Sequence, residues 1–171
     1  MAYPDGQFDQ LAYLVEDLDA AIAHRVKVYG IGPWTVFRNV PIAGTCRGQE
    51  TEVTMSVALG YRGTLQVELI EVHSQTPSPY QDAAGKVLLG LHHVAWVVDD
   101  LDAAVADATA RGMVTVFRAG NPATQVAYME DPAEPTALYE FIMGEMIRPM
   151  IAAGIAESAS WDGSDPVREI G

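Results

Sequence analysis

Apolar residues cluster or alternate over about residues 8–15, 33–39, 51–59 and 64–72, and again over 91–98, 113–118, 124–130 and 136–142. These stretches are rich in β-branched and aromatic residues and predict strands. Val53, Met55, Val57 and Leu59 recur every second residue, as one face of a half-buried strand does. After the first strand of each set the period becomes helical, with Leu18, Ala21, Ile22 and Tyr29 in one and Leu101, Ala104, Val105 and Ala108 in the other. Asp17 and Asp100 stand where an N-cap is needed, and their short side chains can accept from free backbone N–H groups. Gly30 and Gly112 read as C-terminal stops, and Asp131-Pro132 as a turn before the last strand. Each half is therefore βαβββ.

The halves are also alike in sequence. Residues 11–23 read LAYLVEDLDAAIA and residues 94–106 read VAWVVDDLDAAVA. Thr35-Val36-Phe37-Arg38 recurs as Thr115-Val116-Phe117-Arg118, and residues 65–70 match 137–142 in pattern. Three matches in the same order indicate an internal repeat. The expected organisation is one α+β domain over 1–171. It has a first module at about 7–72, a linker at 73–90 with a short helix after Pro79, and a second module at about 91–143. A C-terminal helix over 145–160 follows, its start limited by Pro149, and then a loose polar tail from Asp162.

Charge narrows the partners. The net charge is −13, with only ten Lys and Arg residues. Nucleic acid and anionic membrane surfaces are excluded as partners, since both require clustered cations. A lone cysteine, Cys46, forms no internal disulfide. With no signal-like start and no long apolar run, a cytoplasmic protein is expected.

The repeat also singles out polar residues inside apolar strands. It pairs Gln10 with His93, just before the matching apolar runs, and Glu68 with Glu140 in the last strand of each half. A carboxylate in such a strand is costly unless it is paired or binds a cation. Packing the halves about a pseudo-twofold axis would gather one Gln, one His and two Glu around a point. That donor set suits one divalent ion such as Mg, Mn, Co, Ni, Zn or Fe. Strand alternation predicts that His92 faces away from His93 and that Glu71 faces away from Glu68 into solvent. His24 and His73 are expected at the surface. Trp34, Phe37, Met55, Trp96, Phe117 and Met129 are the candidates for lining a substrate pocket, with core packing as the alternative. Met143, Met146 and Met150 either cover that pocket or simply pack the last helix.

At these residues the chain resembles the vicinal oxygen chelate superfamily, which includes glyoxalase I, methylmalonyl-CoA epimerase, extradiol dioxygenases and bleomycin-resistance proteins. Gly90-Leu91-His92-His93-Val94-Ala95 resembles the opening strand of that family's second module. Asp131-Pro132 with Leu138-Tyr139-Glu140-Phe141-Ile142 resembles its closing strands, and Val67-Glu68-Leu69-Ile70 the matching strand of the first module. Gln10 stands where many members carry His. The resemblance spans about residues 7–143 and most favours the glyoxalase- and epimerase-like branch. It implies a cupped sheet around a metal held by Gln10, Glu68, His93 and Glu140, and commonly a homodimer.

Three functional classes compete. The first is a metal-dependent isomerase, epimerase or lyase acting on a small molecule, with Glu68 or Glu140 as the base. The second is an Fe(II) dioxygenase. It needs two His and one Glu from one module, yet no His lies between Val94 and Gly171. The third is a metal-free binding or resistance protein, which the four intact polar positions oppose.

Overall fold

The computed structural model describes residues 6–170. Residues 1–5 and 171, the ends of the unit expected over 1–171, lie outside the described residues. The first module comprises β1 (Gln10–Leu14), α1 (Leu18–Tyr29), β2 (Trp34–Cys46), β3 (Gln49–Arg62) and β4 (Leu65–Val72). The second comprises β5 (Gly90–Val97), α2 (Leu101–Ala110), β6 (Val114–Gly120), β7 (Gln125–Glu130) and β8 (Leu138–Met143). They are followed by α3 (Ile147–Ser160) and β9 (Val167–Ile170).

The expected helices form for the expected local reasons. The Asp17 carboxylate accepts from the Ala20 N–H at 2.9 Å, and Asp100 from Ala103 at 2.9 Å. Gly30 ends α1 in the left-handed region at φ 63°, which glycine enters without a Cβ clash. α2 ends one residue before the expected stop, capped by Arg111, with Gly112 at φ 102° just after it. Pro149 sits in the first turn of α3, where its missing N–H breaks no helical bond.

The strands run in the order β3-β4-β1-β5-β8-β7-β6-β2-β9, and β2 also pairs with β3. That pairing closes eight strands into a curved, barrel-like sheet, with β9 added on the outside edge of β2. β1 lies parallel to β4 and antiparallel to β5, so the two modules meet at β1–β5. One core cluster fills the interior and includes Ala12, Met55, Ile70, Ala95, Phe117 and Tyr128. A second lies between α1 and the sheet, and a third between α2 and the sheet.

The structure differs from expectation at three places. β2 and β3 extend far beyond 33–39 and 51–59, because Arg47 and Gly48, at φ 46° and 82°, close a two-residue hairpin between Cys46 and Gln49. The 73–90 linker has no helix after Pro79. Asp82 instead accepts from the Ala84 and Lys86 N–H groups, which holds the chain in a turn. The tail is not loose either, for Val167–Ile170 pairs in parallel with Trp34–Phe37. β6 bonds only the far end of β2, Ala43–Cys46, so the near end offers a free edge.

Candidate metal centre

The register of the sheet brings the repeat positions together. In β1–β4, Ala12 lies opposite Glu68; in β5–β8, Ala95 lies opposite Glu140. Ala12 also lies opposite His93, and Gln10 opposite Ala95. Neighbouring side chains on one face touch, and two alanines at the centre leave room for the longer carboxylates. His93 Nε2 is 2.9 Å from Glu140 Oε2, 3.6 Å from Glu68 Oε2 and 3.4 Å from Gln10 Oε1. Ligand atoms of Glu68, His93 and Glu140 all lie within 4.8 Å of one another.

Burial governs the titration of this cluster. The side chains of His93, Glu140 and Glu68 are 0%, 5% and 14% exposed. Burial pushes the Glu140 carboxyl up to about 8, against a hydrogen bond with Tyr128 that pulls it down. Burial, and then the Glu140 charge, raise the Glu68 carboxyl well above its usual range. Burial lowers His93 and His92 to about 3, so both imidazoles are neutral at pH 7. No Lys or Arg is among the residues that line the adjoining cavity. Two buried carboxyls and a neutral imidazole with no nearby cation are a donor set that a divalent ion fits.

Gln10 is held by residues that strand parity alone did not single out. Its amide donates to Gln66 Oε1 at 2.8 Å, and Gln66 donates to the Tyr61 hydroxyl at 2.7 Å. Gln66 did carry a signal, since it lies two residues before Glu68 on the same strand face. His92 does not face away from His93. It is 8% exposed inside the barrel, with Nδ1 2.8 Å from His93 Nδ1 and Nε2 2.8 Å from the Pro79 carbonyl oxygen. The cause is a β-bulge: Ala12 pairs with His93 but Tyr13 pairs with Leu91, so the alternation is broken at His92. Glu71 faces away from the centre as expected but is not simply solvated. It accepts from the Leu18 N–H at 2.9 Å and so helps to hold the start of α1. His73 is likewise tied down, 2.7 Å from the Ser56 hydroxyl.

A cavity of about 310 Å³ opens beside Gln10, Glu68 and Glu140. Its walls are mostly apolar and include Phe37 and Met55. The other four pocket candidates lie elsewhere. Trp34 packs beneath α1, where its indole N–H donates to the Ile31 carbonyl. Trp96 and Met129 pack beneath α2. Phe117 belongs to the interior core and is not among the cavity-lining residues, with its ring 5.6 Å from that of Tyr128. Alternation explains the outward ones: Trp96 and Met129 each follow an inward residue, Ala95 and Tyr128. Another bulge, between Phe37 and Val40, turns both of those side chains into the cavity. Met146, just before α3, and Ile147 and Met150 of α3 line it too, whereas Met143 packs beneath α2.

The arginines are committed elsewhere. Arg38 bonds Asp19 and Glu169, Arg47 bonds Glu130, Arg118 bonds Asp102, and Arg62 donates to the Tyr29 carbonyl. Among the described residues no helix is long and apolar enough to cross a membrane.

Comparison with known proteins agrees with this architecture. The family model of the Glyoxalase/Bleomycin resistance protein/Dioxygenase superfamily matches residues 9–128. A hypothetical protein from Bacillus halodurans is similar in structure, with a TM-score of 0.57 and 17% identity over 83% of this chain and 96% of its own. A methylmalonyl-CoA epimerase solved with methylmalonyl-CoA and NH4+ has a TM-score of 0.55 and 20% identity over 82% and 96%. The methylmalonyl-CoA epimerase of Mycobacterium tuberculosis has 0.53 and 17% over 85% and 91%. No curated protein sequence matches the chain. Paired βαβββ modules closed around a Gln, a His and two Glu, together with a family model spanning most of the sequence, place the chain in the glyoxalase/bleomycin resistance protein/dioxygenase superfamily, the vicinal oxygen chelate proteins.

Proposed function

We propose that this protein is a divalent-metal-dependent isomerase, epimerase or lyase that moves a proton next to a carbonyl of a small metabolite. The observation that carries this reading is the convergence of two buried carboxyls on His93 Nε2 at the wall of an apolar cavity. Gln10, Glu68, His93 and Glu140 would hold the ion. When bound, it would polarise oxygens of the substrate and ease loss of the neighbouring proton. The rest is the work of the chain. Glu68 and Glu140 both have raised proton affinity, which suits a group that must take a proton and return it. Glu68 is the more open of the two and the better placed to reach a substrate in the cavity. The apolar walls exclude water and favour a compact apolar body; with no Lys or Arg among the lining residues, phosphate groups have no partner there.

Two arguments rank the alternatives below it. An Fe(II) oxygenase of the two-His, one-carboxylate kind needs a second imidazole on the ion, and both nitrogens of His92 already have partners. A metal-free binding protein gives no role to two buried acids, whose burial costs stability.

The test is incubation of the metal-loaded protein with 2-substituted acyl thioesters and hydroxyketones in heavy water, following deuterium uptake by NMR. Uptake that disappears in Glu68→Gln or Glu140→Gln supports the proposal. Oxygen consumption with a catechol, and no uptake in any candidate, overturns it.

A further inference from the structure

Resting on the reading that Glu68, His93 and Glu140 hold a metal, we infer that His92 is a positioning residue: with the Pro79 carbonyl it fixes the tautomer of His93, so that the Nε2 lone pair faces the metal centre. With both rings buried and neutral, the geometry leaves one arrangement of protons. The Pro79 oxygen can only accept, so at 2.8 Å the proton between it and His92 belongs to His92 Nε2. A neutral imidazole carries one N–H, so His92 Nδ1 is then bare. His93 Nδ1 lies 2.8 Å from that bare nitrogen and must be the donor. His93, buried and neutral in its turn, has its Nε2 left without a hydrogen, and in the absence of metal the proton in the 2.9 Å contact with Glu140 belongs to the carboxyl. That nitrogen is the one near Glu140, Glu68 and Gln10.

The opposite arrangement fails at either end. A His93 protonated at Nε2 would set two bare Nδ1 lone pairs against each other at 2.8 Å, and its own N–H would occupy the metal position. Protonating His92 at both nitrogens would restore a hydrogen bond but would bury a cation among Tyr80, Tyr128 and His93 rings.

The linker between the modules thereby becomes part of the site. Tyr80, the residue after Pro79, packs its ring against that of His92 at a tilt of 37° with centroids 5.1 Å apart, and its hydroxyl lies 3.0 Å from that of Tyr128. These contacts hold the Pro79 carbonyl in place. The bulge in β5 is what turns His92 inward to reach it. The Gln10–Gln66–Tyr61 chain, by contrast, ends on a hydroxyl that can donate or accept, so it orients Gln10 without dictating a proton position. A ligating imidazole gains affinity when its other nitrogen donates to a fixed acceptor; here the fixed acceptor is another histidine.

The experiment uses the full chain, labelled with 15N in its histidine rings and free of metal. Long-range 1H–15N correlation spectra are expected to show His93 protonated at Nδ1 and His92 at Nε2. A His93 protonated at Nε2 overturns the inference. Titration with Co2+ then compares two variants. His92→Phe keeps a buried ring but removes both hydrogen bonds, and should weaken Co2+ binding by about 10- to 100-fold while His93 moves to the Nε2–H form. His92→Asn offers Oδ1 in place of the lost nitrogen and should bind Co2+ much more tightly than His92→Phe. A folded His92→Phe that keeps both the tautomer and the affinity overturns the inference. If His92→Phe does not fold, the spectra of the unaltered protein decide alone. If that protein shows the expected tautomers but binds no Co2+, the metal reading fails and the relay from Pro79 to His93 stands.

Discussion

Glu68, Glu140, His92 and His93 share one small volume yet titrate in opposite directions, and this ties both stability and metal binding to pH. Glu140 has its folded value raised to about 8, and Glu68 is raised well above its ordinary 4.5. Through these two carboxyls the metal-free folded state therefore binds more protons than the unfolded chain above pH 4.5. This contribution to stability is fully present below 4.5 and is lost as pH rises through about 8. The histidines, lowered to about 3, act the other way: their contribution is present above 6.5 and is lost as pH falls towards 3. Denaturant titrations of the metal-free protein between pH 5 and 9 should show declining stability on the alkaline side, and Glu140→Gln should flatten that decline. Metal affinity should rise over the same interval, because the ion binds the carboxylates only after their protons leave. Calorimetric Co2+ titrations at pH 6, 7 and 8 check this, and a flat series would contradict the assigned ligands.

At the scale of elements, α1 and α2 depend on their caps, whereas α3 depends on docking. Asp17→Ala and Asp100→Ala should each cost about 1 kcal/mol, read as a shift in the denaturation midpoint at unchanged slope. α3 has no side-chain cap at Met146 and no fully buried residue. It lies across β3 with Gly154 against the Tyr61 ring, where a Cβ would overlap the ring. Ser158 also donates to the Tyr61 carbonyl at 3.2 Å. Gly154→Val should therefore push Tyr61 and α3 apart, destabilising the protein by about 1–3 kcal/mol, as overpacking does. Because Tyr61 supports Gln66 and Gln66 supports Gln10, the same variant should also weaken Co2+ binding. Gly154→Val that melts at the usual temperature and binds Co2+ as before would show that α3 is not coupled to the centre.

The whole molecule has its proposed metal ligands on strands of both modules, Gln10 and Glu68 from the first and His93 and Glu140 from the second. An ion held there would cross-link the halves and bind only the folded state. At a hundredfold excess over its Kd, a metal should stabilise the fold by about 2.7 kcal/mol. Thermal melts with Mn, Co, Ni and Zn check this; His93→Ala should lose the gain. The sheet closes through both modules, so calorimetry should show one unfolding transition. Separate transitions for residues 7–72 and 91–143 would refute a single folding unit.

Much of this was legible in the chain itself. Hydrophobic period and the internal repeat mark both βαβββ modules, because strand and helix periods are local properties that need no knowledge of partners. The same repeat picks out Gln10, Glu68, His93 and Glu140, since equivalent residues in equivalent strands must occupy related positions about the centre. Asp17, Asp100 and Gly30 announce the helix ends through their own side chains, or the lack of one. Tertiary structure decided everything that depends on two distant strands. His92 faces inward because β1 and β5 pair with a bulge, and no single strand carries that offset. Trp34, Trp96 and Met129 cover helices, while Phe37 and Met55 face the cavity, because closure of the sheet determines which face is inside. The 167–170 segment is a strand because β2 has an open edge waiting for it. Side-chain alternation can be read from one strand, but a partner, a bulge or a cavity wall exists only once two segments meet.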